Sequence, residues 1–125
     1  MSSSQEELLR FTAATFPSVW ALELLLALKR EARACTRDEL VTLLRASDLV
    51  VARALDALLA AGLVSIEQQR AVYQPANANL ADCVQQVEQL YRTRPNVVRR
   101  AIIAAASSSA TAFANAFRLR KDGDD

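Results

Sequence analysis

At 125 residues with 52% hydrophobic side chains, the chain has the size of one self-supporting domain. About a fifth of it is alanine, and only two glycines and three prolines interrupt it, a composition that favours helices. The formal charge of +1 excludes a generally basic nucleic-acid binder, and no apolar run approaches the roughly 18–20 residues that cross a bilayer.

The first helix is expected from Ser4 to Phe16, with Leu9, Ala13 and Phe16 on its inner face. Its polar, acidic start does not resemble a secretory signal, and the expected location is cytoplasmic. Pro17 breaks the helix and Ser18 caps a second, over residues 18–33, which is apolar nearly all round and must be covered on more than one side. Thr36-Arg37-Asp38-Glu39 reads as a capping box. The third helix follows it, with Leu40, Leu43 and Leu44 inward, and ends near Ala46.

Ser47-Asp48 caps a fourth helix that runs to about Ala61 with Val51, Leu55, Leu58 and Leu59 buried. Gly62 stands where a left-handed cap is wanted. Leu63 to Glu67 alternates apolar and polar, Gln68-Gln69 turns, and Arg70 to Gln74 returns as a second strand, stopped by Pro75. Beyond it, Asn79 to Asp82 reads as a cap, and Leu80, Val84, Val87, Leu90 and Tyr91 recur at helical spacing. Arg92-Thr93-Arg94-Pro95 is an elbow, and Pro95 opens a last helix to about Leu119.

Two short helices joined by a capped turn and followed by a hairpin form a helix-turn-helix with a wing. The string Thr36-x-x-Glu39-Leu40…Leu43-Leu44…Ser47-x-x-x-Val51-x-x-x-Leu55-x-x-Leu58-x-x-x-Gly62-Leu63-Val64 resembles the winged-helix transcriptional regulators of the MarR and ArsR kind. The expected fold is therefore mainly α, a winged helix-turn-helix with a two-stranded wing and extra N- and C-terminal helices. One domain over residues 1–125 is expected, with N-terminal helices at 4–34, helix-turn-helix and wing at 35–75, C-terminal helices at 76–120 and an acidic tail at 121–125.

The resemblance implies a dimeric DNA-binding regulator with the fourth helix in the major groove. The residues expected on double-stranded DNA are Arg37, Arg45, Ser47, Leu49, Val50, Arg53, Gln69 and Arg70. Arg53 is the one side chain there suited to bidentate reading of guanine, while Leu49 and Val50 suit a thymine methyl. Against this, residues 35–74 carry four arginines and five carboxylates, a net −1, and such a surface binds phosphate weakly. A second reading stays open, in which Leu49 and Val50 meet a protein of the transcription machinery.

For a homodimer, Ile102, Ile103, Ala106, Ala110, Phe113 and Phe117 are the expected contact face, with the small-residue run 104–110 allowing close helix approach. Pairing is preferred to folding back on the second helix. The chain has no histidine, and Cys35 and Cys83 stand far apart, so no metal or cofactor is expected and both thiols read as buried and free. With no nucleophile elbow, phosphate loop or acid–base pair, the expectation is a non-enzyme.

Overall fold

The computed structural model describes residues 4–107. They form a mainly helical fold with a small three-stranded antiparallel sheet. Helix α1 (Gln5–Thr15) is capped by Ser4, whose hydroxyl accepts from the Glu7 N–H. At the Pro17 break the chain turns by 102° into α2 (Val19–Glu31), capped in the same way by Ser18. Strand β1 (Cys35–Thr36) leads into α3 (Arg37–Leu44), and Arg45-Ala46-Ser47 links this to α4 (Asp48–Ala60). The hairpin β2 (Val64–Glu67) and β3 (Arg70–Tyr73) follows, then α5 (Ala78–Thr93). A sixth helix, α6, begins at Pro95 and is described to residue 107.

Helix α2 is the central strut. Ala21, Leu22 and every residue from Leu24 to Leu28 are buried, because α3, α4, the sheet and the C-terminal helices cover it from different sides. The core adds Phe16, Leu40, Val51, Leu58 and Leu63, and from the C-terminal helices Val84, Val87, Val98 and Ile102. Polar links fix α5 against α2: Lys29 Nζ lies 2.7 Å from Glu88 Oε1, and the Tyr91 hydroxyl donates to Glu23. The C-terminal helices thus fold back on their own chain, where pairing with a second copy was expected to take their apolar stripe. Val98 and Ile102 each find a complete apolar surround there. No single helix among the described residues is long and apolar enough to cross a membrane.

Several inner faces are rotated from expectation. In α1 the buried positions are Leu8 and Thr12 rather than Leu9 and Ala13; the Thr12 hydroxyl donates to the Leu8 carbonyl at 2.6 Å, which removes the cost of burying it. In α3 Leu43 is 46% exposed, since α2 and α4 both pack on the side carrying Leu40, Val41 and Leu44. In α4 Ala54 takes the buried place expected for Leu59. The cap of α5 is Asn77, two residues before the expected Asn79: its Oδ1 accepts from the Leu80 N–H, and the helix begins at Ala78.

Gly62 has φ +73°, and an added Cβ would meet the Ala76 Cβ at 3.4 Å. Only a residue without a side chain turns there at no cost, so that Leu63 enters the core and Ala76 N–H reaches the Gly62 carbonyl at 2.8 Å. The sheet order is β1-β3-β2, so a third strand joins the hairpin where a two-stranded wing is expected from the sequence. Cys35 pairs with Ala71 and Thr36 with Arg70.

Candidate nucleic-acid interface

Two N-caps and one ion pair build the α3–α4 unit. Thr36 Oγ1 accepts from the Glu39 N–H at 3.1 Å, and Glu39 Oε1 accepts from the Thr36 N–H at 2.9 Å, the reciprocal capping box expected from the sequence. Ser47 Oγ accepts from the Val50 N–H at 3.1 Å and starts α4. Arg37 then bridges the two helix starts, its Nε and Nη2 donating to the Asp48 carboxylate at 2.8 and 2.9 Å. The linker turns through Arg45, whose φ of +53° ends α3.

On α4 the buried residues Val51, Ala54, Leu55 and Leu58 leave Leu49, Arg53, Asp56 and Ala60 on the outward stripe. Leu49 is 58% exposed, while Val50 is only half-buried rather than fully outward. The hairpin stands beside this helix. Its two-residue turn, Gln68 at φ +50° and Gln69 at +64°, is the mirror-image kind that matches strand twist, here made without glycine. A groove of about 750 Å³ opens between them, bounded by α4 (Ala52, Asp56, Leu59), the hairpin (Ile66, Gln68, Arg70) and the start of α3.

Of the expected contact residues, Arg37, Gln69 and Arg70 line this groove, Ser47, Leu49 and Val50 lie at the start of α4, Arg45 ends α3 and Arg53 stands midway along α4; they are not equally free. Arg37 is committed to Asp48, and Arg70 Nη1 lies 3.5 Å from Glu39 Oε1. Arg45 and Arg53 are exposed and have no carboxylate partner among the described residues. Of the expected dimer face, Ile102 is buried in its own core and offers nothing to a second copy, whereas Ile103 and Ala106 are exposed. Ala110, Phe113 and Phe117 lie outside the described residues.

Glu39 is the electrostatic hub, and the sequence signalled only its capping role. It also pairs with Arg33 Nη1 at 2.8 Å and faces Arg70. The Thr36 backbone N–H, then the Arg33 guanidinium and the Thr36 side chain, hold its carboxyl down at about 2 against an ordinary 4.5. A carboxyl lowered on folding stabilises the fold above its unfolded pKa, and that contribution disappears as pH falls through the folded one. Thermal melts of the natural chain should therefore lose stability between pH 4.5 and about 2 more steeply than those of Glu39→Gln. Parallel curves would remove Glu39 from the acid response.

Burial pushes the Cys35 thiol up, which disfavours the reactive thiolate, and Cys83 is half-buried; both are free. The groove has an acidic side, Asp38 and Asp56, and an apolar wall, Leu59 and Ile66, residues that no sequence spacing links to one another. Only the hairpin folding against α4 brings them together. No known protein family, no curated protein and no solved structure matches this chain.

Proposed function

We propose that the chain is a winged helix-turn-helix DNA-binding regulator acting as a dimer, with α4 as the recognition helix and the β2–β3 hairpin as the wing. The observation that carries this reading is a shared groove, bounded by one side of α4 (Ala52, Asp56, Leu59) and the hairpin turn (Gln68, Gln69), which the outward stripe of α4 meets at Asp56. Arg53 stands on that stripe and is free to take a base edge, and Arg45 at the α3–α4 turn is free to take a phosphate.

Charge sets the character of the binding. With Arg37 and Arg70 engaged by carboxylates, Arg45 and Arg53 give a dimer about four unpaired cations on this face. The logarithm of affinity should fall against the logarithm of salt with a slope no steeper than about −4. Fluorescence anisotropy with double-stranded DNA selected from a random library, titrated across salt, tests this. Failure to enrich any duplex at low salt overturns the reading.

The exposure of Leu49 in the first turn of the recognition helix favours a second reading, a protein partner of the transcription machinery seated on Leu49 and Val50. Such a complex would have little salt dependence and would be lost in Leu49→Asp.

A further inference from the structure

We propose that Asp56 is a base-reading residue, and that the duplex this chain selects carries a cytosine in the base pair next to the guanine taken by Arg53. The inference deepens the DNA-binding reading above and rests on it; it names the kind of site that α4 recognises.

Arg53 and Asp56 stand three residues apart on α4, which sets them on one face about one turn from each other. Both are exposed. Asp56 also lines the groove that α4 shares with Gln68 and Gln69 of the hairpin turn. Two other carboxylates of this unit are engaged by arginines, Glu39 by Arg33 and Arg70, and Asp48 by Arg37. Neither Arg53 nor Asp56 has an ion-pair partner among the described residues, and no ion pair joins them to each other. The outward stripe of α4 thus presents one unpaired cation and one unpaired anion, side by side.

A helix that met only phosphate would be poorly served by this arrangement, because a free carboxylate repels every phosphate it approaches. The floor of the major groove is different. Base edges there present donors as well as acceptors, and cytosine N4 and adenine N6 can each donate to a carboxylate. Adenine sets its N7 acceptor beside that amino group, where it opposes the second carboxylate oxygen. Cytosine has no acceptor of its own on that edge, so Asp56 suits cytosine. Arg53, with two parallel donors, suits guanine O6 and N7. Three residues of helix rise about 4.5 Å, against roughly 3.4 Å between stacked base pairs, so the two side chains reach neighbouring pairs. Asp56 also acts against wrong sites, since a duplex that offers it no amino group leaves a carboxylate unpaired against DNA.

Selection from a random duplex library, followed by anisotropy on the selected site and on an unrelated duplex, tests this. The natural chain should select cytosine in the pair next to the guanine whose preference is lost in Arg53→Ala. Asp56→Ala should make that neighbouring position indifferent and weaken binding to the selected site by about tenfold. The same change should raise affinity for the unrelated duplex by about two- to fivefold, because a repelled charge is gone. Asp56→Asn should move the preference to adenine, whose N6 and N7 an amide meets together. Both substitutions are at an exposed helix position, and circular dichroism melts should match the natural chain. A consensus that Asp56→Ala leaves unchanged overturns Asp56 as a reader and leaves the DNA-binding regulator standing. A natural chain that enriches no duplex overturns both.

Discussion

Leu58→Ala is expected to lower the unfolding free energy by about 2–5 kcal/mol, while Leu59→Ala, its neighbour in sequence, stays within about 0.5 kcal/mol of the natural chain. Leu58 is fully buried between α4 and the α2 strut, where removing three carbons leaves a cavity that the packed leucines of α2 cannot close. Leu59 is 41% exposed on the wall of the groove and loses only part of a solvated contact. Urea midpoints of the two variants separate these outcomes. Equal loss in both would mean that α4 is rotated about its axis, and the outward stripe of Leu49, Arg53 and Asp56 would be wrong with it.

Arg53→Ala should weaken specific DNA binding by about 1–3 kcal/mol and relax base preference at one position of the site. The effect should be large because so few other cations share the work: Arg37 and Arg70 are held by Asp48 and Glu39. Arg70→Ala should be the milder change. It removes an arginine that already has a carboxylate at 3.5 Å, and a phosphate contact carries no sequence information. Repeating the sequence selection with each variant distinguishes the two roles. An unaltered preference in Arg53→Ala would strike it from the reading set and move weight to the protein-partner reading centred on Leu49.

Most of the helix starts were legible in the sequence because they are decided within four residues. A serine or threonine oxygen two or three positions before a backbone N–H is enough to start a helix, which is how Ser4, Ser18, Thr36 and Ser47 act. Pro17 and Gly62 punctuate on equally local grounds, one by lacking an N–H and the other by tolerating positive φ. The two-residue turn at Gln68-Gln69 followed from the alternation on either side of it.

What the sequence could not decide were the choices made between segments far apart in the chain. Two residues, Cys35 and Thr36, have no strand signal of their own and become β1 only because β3 is there to pair with them. In helices as short as α3, three apolar positions fit more than one face, and the neighbours chose Leu40 and Leu44 over Leu43. For the apolar stripe of the C-terminal helices, pairing with a second copy is the expectation from the sequence, because spacing does not show which surface a stripe meets. Burial of Val84, Val87, Val98 and Ile102 places that part of the stripe in the core, while Ile103 stays exposed. The pairing of Arg37 with Asp48 and of Arg70 with Glu39 crosses 11 and 31 positions, and with it went the charge available for a phosphate. Sequence spacing determines what a side chain can do for its own turn of helix; which distant charge or apolar face it meets is settled only when the other helices and the sheet pack around α2.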